Sequence, residues 1–206
     1  MRDLERLLSQ GLRTAVLLAI AEESVDVCSL TGYEARCLAD MAEVRRPSWL
    51  LGRAALKALL ARAGEPLDTG ALAFPHPWLS LTHSGSLAAA LALPGAHPPG
   101  AGIDLETGRS PHPDSARFFL TPSEQAWLAA LDPKAQPRHL QRLWTVKEAL
   151  FKARLQNQDA MLHHFEIDDP SALSGTAVLR CGGRPRFRYT SATFRDCWLT
   201  AAVPAQ

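Results

Sequence analysis

Glu148 and Lys152 stand one helical turn apart in the stretch LWTVKEALFKARL, residues 143–155. At about 100° per residue, an acid and a base at that spacing share a helix face with Trp144. Leu143, Val146 and Leu150 fall on the opposite side, where a core would anchor the helix from behind. Upstream, Asp104 and Glu106 alternate with Ile103 and Leu105 in Gly-Ile-Asp-Leu-Glu at 102–106. A short strand there puts both carboxylates on one face and the two apolar side chains on the other. Two carboxylates on one strand face repel each other unless a cation sits between them. An exposed strand face is the ordinary account of such a pair. Beside the acid and base of the helix, the two stretches read as halves of one active site.

The elements that position these residues carry further chemistry. Residues 30–41 predict a helix capped by Thr31, with Glu34 completing a capping box and Arg36 on its surface. Arg45-Arg46-Pro47 breaks the chain, and Ser48 reads as the N-cap of a helix that runs to about Ala63 and stops at Gly64. Leu56, Leu59 and Leu60 give that helix a buried side, and Arg53 and Lys57 share another. These basic residues are either solvated helix surface or a phosphate-binding cluster. After a loop over 65–77, two apolar runs flank Thr82-His83-Ser84-Gly85, which reads as a turn or bulge between buried segments. A histidine there is ordinarily a hydrogen-bonded core residue; beside Ser and Gly, with backbone groups open, it could also meet an anion. A loop at 94–100 marks a boundary between halves. Thr121-Pro122-Ser123-Glu124 has the form of a second capping box, and the central helix begins near Arg138. Short strands are expected at 165–168, 175–181, 185–190 and 196–203, with Arg184, Arg186 and Arg188 alternating on one face as a solvated edge. No internal repeat is visible at the residue level.

A chain of 206 residues with 47% hydrophobic content supports one large domain or two modules. Its net charge of +1 argues against a generic nucleic-acid binder. No run is long enough to cross a bilayer. The apolar run at 15–21 reads as a strand or helix start rather than a signal peptide, because Asp3 and Glu5 stand where positive charge is wanted. Cys28, Cys37, Cys181 and Cys197 form no CxxC or zinc pattern. They are expected to be free, buried thiols in a reducing cytoplasm.

Thr82-His83-Ser84, then 102–106, then Trp144-Thr-Val-Lys-Glu-Ala-Leu-Phe-Lys152 resemble, in that order, the 4'-phosphopantetheinyl transferase superfamily. The likeness is to its large, two-lobed type, which serves surfactin and enterobactin synthetases and is marked by (G)xDxE and WxxKExxxK motifs. It covers residues 36–155. Leu51-Gly52-Arg53, the Glu34/Arg36 helix and the Phe118-Phe119…Glu124 stretch also look like the family. The resemblance implies an α+β pseudo-dimer of two similar lobes, residues 1–100 and 101–206. Each lobe would have a small antiparallel sheet and a long helix, with the active site in the cleft between them. A chain of this length would act as a monomer, since single-lobe relatives are half the size and trimerise.

The resemblance also implies the reaction. Phosphopantetheine would pass from coenzyme A to a serine of an apo acyl or peptidyl carrier protein, releasing adenosine 3',5'-bisphosphate. Asp104, Glu106 and Glu148 would hold Mg²⁺, a hard cation that shares itself between carboxylates and phosphate oxygens. Glu148 would also be the general base, directly or through water, and Lys152 would contact the phosphate, either balancing charge there or shuttling the proton. The N-terminal lobe would bind coenzyme A through Arg36, Arg45, Arg46, Arg53, Thr82, His83 and Ser84, with Lys147 in a structural or phosphate-contacting role. The family's Gly-Lys-Pro upstream of the Ser-His block is replaced by a shorter stretch, 73–78, with no lysine, where His76 is a partial substitute. Phe118, Phe119 and the arginines at 184–188 are expected to dock the carrier. The competing readings are a catalytically silent coenzyme A-binding protein and a Mg²⁺-dependent phosphohydrolase of the same fold. Neither nucleic acid nor membrane is expected as a partner.

Overall fold

The computed structural model describes residues 1–95, 100–108, 110–156 and 159–205, so most of the boundary loop expected at 94–100 lies outside the described residues. The chain runs α1 (Arg2–Leu12), β1 (Leu17–Ala21), α2 (Gly32–Ala39), α3 (Arg46–Ala63), β2 (Leu79–Ser84), β3 (Leu87–Ala92) and β4 (Gly102–Glu106). It continues with α4 (Ala116–Phe119), α5 (Pro122–Ala129), α6 (Gln136–Lys152), β5 (Phe165–Ile167), β6 (Ser174–Leu179), β7 (Arg186–Phe194) and β8 (Cys197–Pro204). The fold is α+β with two antiparallel sheets, ordered β1-β3-β2 and β4-β8-β7-β6-β5. No described helix is long and apolar enough to cross a membrane.

Each sheet carries one long helix. Leu51, Leu56, Leu59 and Leu60 of α3 pack on Ala88, Ala90 and Ala92 of β3. Leu143, Val146 and Leu150 of α6 pack on Phe165, Phe187 and Tyr189. A third core lies between the sheets, where Leu18, Leu87 and Leu91 meet Ile103, Leu105, Leu199 and Val203. The first helix, α1, contributes Leu8 and Leu12 to that same layer and packs along β7. Ile103 and Leu105 therefore face the inter-sheet core, as their alternation requires.

The two halves share a device that the sequence reading missed. Both expected capping boxes form: Thr31 with Glu34 and Thr121 with Glu124. In each, the buried glutamate also reaches a lysine on the following long helix. Glu34 takes Lys57 at 2.8 Å and Glu124 takes Lys147 at 2.7 Å. The same separation along the chain divides both pairs. Each glutamate then accepts a backbone N–H from beyond its helix, Thr69 at 3.1 Å and Ile167 at 2.9 Å. Burial works to raise the Glu34 carboxyl, but Lys57, Thr69 and two backbone N–H groups hold it down at about 2. Its contribution to stability is thus present above the usual glutamate range and lost as pH falls toward that value.

Several local expectations change. The helix at 46–63 begins at Arg46, not after Ser48, with Pro47 in the first turn where a missing N–H is harmless. The Thr82-His83-Ser84 block is strand rather than turn; the reversal is made by Gly85-Ser86, with Gly85 at φ 58°. All four cysteines are free, but only Cys197 is buried and Cys28 is exposed.

Candidate active site

Two glycines bring β4 against α6. A Cβ at Gly102 would lie 1.9 Å from the Ala149 carbonyl oxygen, and one at Gly100 1.8 Å from that of Ala153. Backbone meets backbone only because neither residue has a side chain. Asp104 is therefore delivered to the last turn of α6, where Lys152 Nζ donates to its Oδ1 at 2.7 Å. Trp144, two turns earlier, donates its indole N–H to Glu106 Oε1 at 3.0 Å. The helix face predicted to hold Trp144, Glu148 and Lys152 is the face turned toward the strand.

The edge strand of the first sheet closes the site from the other side. Its alternate residues form a ladder of hydroxyls onto β4. Ser80 accepts the Ile103 N–H at 3.0 Å, Thr82 donates to Asp104 Oδ1 at 3.0 Å, and Ser84 donates to Glu106 Oε2 at 3.1 Å. Asp104 Oδ2 is buried with no partner among the described residues. As the side chains stand, no three acid, histidine or cysteine groups among the described residues form a closed metal cluster, and Lys152 supplies the positive charge.

The three carboxylates feel one another. Burial pushes Asp104 up, and Lys152, Thr82 and the Leu105 N–H draw it back. Glu106 is raised by burial and then by Asp104. Glu148 is raised by burial, relieved by Lys152, and raised further by Asp104 and Glu106. A carboxyl whose folded value exceeds its ordinary 4.5 makes the native state less stable as pH rises through that interval. Glu148→Gln removes this term. Its melting temperature, measured without divalent metal, is expected to gain on the wild type increasingly from pH 4 to pH 7. A gap that does not vary with pH would contradict the carboxylate crowding.

His83 points away from the acids, because strand alternation turns it with Leu81 toward α3. There Arg45, Ser48, Trp49, Arg53, Leu81 and His83 line an open groove of about 490 Å³. Arg53 lies with its guanidinium 5.0 Å over the Trp49 ring and donates to the Thr69 carbonyl at 3.1 Å, while its Nε is buried without a partner among the described residues. A smaller pocket of about 200 Å³, which shares Leu81 with the groove, is walled by Phe74, Pro75, Leu81, Ala101, Phe151 and Lys152.

A model of the 4'-phosphopantetheinyl transferase superfamily matches residues 100–202, the half of the chain that holds β4 and α6. The chain belongs to that superfamily. Two curated phosphopantetheinyl transferases share 35% identity with it over 120 residues, covering 54% of this chain. Both are described as 4'-phosphopantetheinyl transferase AcpT, from Salmonella typhi and Salmonella typhimurium strain LT2. The match spans 60% of the length of each.

Within this phosphopantetheinyl-transferase frame, some expected site residues stand elsewhere. Lys147 does not reach the carboxylates. Its ammonium is wholly buried, paired with Glu124 and donating to the Phe165 carbonyl, because its helix position points into the second sheet. Arg46 donates to the Met41 and Ala39 carbonyls, closing the chain end of α2. Arg36 is exposed over the Tyr33 ring and outside the groove. His76 stacks edge-on against Trp78 at 5.3 Å, and burial lowers its pKa, which disfavours a positive charge near the place where the family has a lysine. The docking surface expected at Phe118 and Phe119 is split. Phe119 is 1% exposed and packed edge-on against Trp144 at 4.9 Å, whereas Phe118 is 64% exposed beneath Arg117. Arg184 lies at positive φ ahead of β7, and Arg186 is paired with Asp168. The sequence reading missed the Ser80 and Thr82 hydroxyl contacts to β4; a period of two along β2 was the available signal.

Proposed function

We propose that the chain is a transferase that moves 4'-phosphopantetheine from coenzyme A to a serine hydroxyl of an apo acyl or peptidyl carrier protein. The observation that carries this reading is the meeting of Asp104 and Glu106 on β4 with Glu148 and Lys152 on α6, beside a groove lined by arginines and a histidine.

The donor set suits a divalent cation. It offers three hard oxygen side chains with elevated proton affinity, one of them with a buried oxygen that has no partner among the described residues. Asp104, Glu106 and Glu148 would hold Mg²⁺, which when bound neutralises the diphosphate. The rest of the chemistry belongs to this chain. Glu148, the acid without a hydrogen-bond donor among the described residues, takes the serine proton. The serine oxygen bonds to the β-phosphorus. The bond from that phosphorus to the oxygen of the α-phosphate breaks, and adenosine 3',5'-bisphosphate leaves with the electron pair. Lys152 balances charge on the phosphoryl oxygens. The nucleotide end lies along Arg45, Arg53 and His83, with residues 1–100 as the nucleotide-binding lobe and 101–206 as the acid-bearing one. The small apolar pocket beside Lys152 accommodates the dimethyl carbons next to the transferred phosphorus. The enzyme works as a cytoplasmic monomer.

The test is incubation with coenzyme A and a panel of apo-carriers, with and without Mg²⁺. A Mg²⁺-dependent mass gain on a carrier supports the transferase. Loss of coenzyme A with no carrier gain indicates a hydrolase, and neither change indicates a binder. His83→Ala is expected to raise the KM for coenzyme A about 10–100-fold, as for a lost charge-assisted hydrogen bond. With dephospho-coenzyme A the difference should shrink; an equal penalty on both donors would place the nucleotide's 3'-phosphate elsewhere.

A further inference from the structure

We infer that Ser84 is a positioning residue for Glu106 rather than a phosphate contact, an assignment that rests on the site reading above. A serine hydroxyl has one proton and two lone pairs. The Ser84 proton goes to Glu106 Oε2 at 3.1 Å, and the same oxygen accepts the Thr107 N–H at 3.1 Å. The Thr107 hydroxyl lies a further 3.1 Å away and completes the shell. No donor is left for a phosphate oxygen. The turn is built to hold this arrangement, because a Cβ at Gly85 would stand 2.8 Å from Thr107 Oγ1.

Glu106 is consequently held at both oxygens from two different parts of the fold, by Ser84 of the first sheet and by Trp144 of α6. Asp104 is treated differently. Thr82 and Lys152 both engage its Oδ1, and Oδ2 has no partner among the described residues. The strand thus offers one carboxylate locked in orientation and one with an oxygen that has no partner among the described residues. A hydroxyl that fixes a ligand's orientation acts through metal affinity, where loss of such a partner typically weakens binding 10–100-fold.

The test is Mn²⁺ binding by electron paramagnetic resonance, with saturating coenzyme A and no carrier, on wild type, Ser84→Ala, Ser84→Thr, Trp144→Phe and Asp104→Asn. Ser84→Ala is expected to bind Mn²⁺ about 10–100-fold more weakly, with the KM for coenzyme A unchanged and kcat reduced. Ser84→Thr, which keeps the hydroxyl, should restore binding. Trp144→Phe, which keeps a ring against Phe119, should weaken Mn²⁺ binding in the same way and provides the answer if Ser84→Ala folds poorly. Unchanged Mn²⁺ affinity in both single variants, or a raised KM for coenzyme A in Ser84→Ala with Mn²⁺ affinity intact, would overturn the assignment alone. Wild-type protein that binds Mn²⁺ no better than Asp104→Asn would overturn the site reading together with it.

Discussion

Lys147→Ala is expected to destabilise the protein by about 3–5 kcal/mol, while Glu148→Gln, at the next position, leaves it at least as stable and slows transfer. The Lys147 ammonium is 0% exposed and Glu124 1% exposed, and the pair joins the start of α5, the middle of α6 and the first residue of β5. Removing the lysine leaves a buried carboxylate whose remaining donors are the backbone N–H groups of Thr121 and Ile167. Glu148 has the opposite environment, desolvated and crowded by Asp104 and Glu106. Neutralising it relieves repulsion in the folded state and removes the proton acceptor, which lowers kcat by about 10²–10⁴-fold. Denaturant titration together with the carrier assay separates the two effects. A Lys147→Ala protein that unfolds at the wild-type midpoint would remove the clamp from this account. Lys57→Ala in the other half should cost less, because Lys57 retains 16% exposure and water can replace part of what it supplies.

Gly102→Ala carries the second large effect. Its methyl group would meet the Ala149 carbonyl oxygen of α6 at 1.9 Å and the nitrogen of Ala153, the residue that caps α6, at 2.8 Å, and both are backbone atoms that no rotamer change can move. Strand β4 has to retreat from the helix, and Asp104 and Glu106 retreat with it. A displacement of about 1 Å at such a site lowers the rate about 10²-fold, and overpacking costs about 1–3 kcal/mol of stability. The diagnostic measurement is Mn²⁺ affinity together with kcat at a temperature where the variant remains folded. Wild-type values for both would show that the close approach of β4 to α6 is not what sets the site.

The elements closed by local bonds were legible from the residues alone. Thr31 with Glu34 and Thr121 with Glu124 close their capping boxes within one turn, so spacing and residue type suffice. The helix phase of Trp144, Glu148 and Lys152 and the strand phase of Asp104 and Glu106 follow from backbone periodicity, which tertiary contacts do not alter. The division of Thr82, His83 and Ser84 was within reach of the same periodicity, once the block is taken as strand instead of turn.

Partners chosen across the fold were not legible. Lys147 sits between two candidate acids in the sequence, Glu124 and its own neighbour Glu148, and only the packing of α6 on the second sheet sends it to Glu124. The likeness between the Glu34–Lys57 and Glu124–Lys147 clamps escaped notice because a few polar positions recur within otherwise unlike residues. The contacts of Thr82 and Ser84 with β4 need two sheets that are not hydrogen-bonded to each other through their backbones to stand side by side. The residue string determined which side chains could do chemistry and which face of each element they occupy. Which of them meet depended on burial of the apolar layers between the sheets, because hydrophobic packing is non-directional and takes its geometry from the whole fold rather than from any one segment.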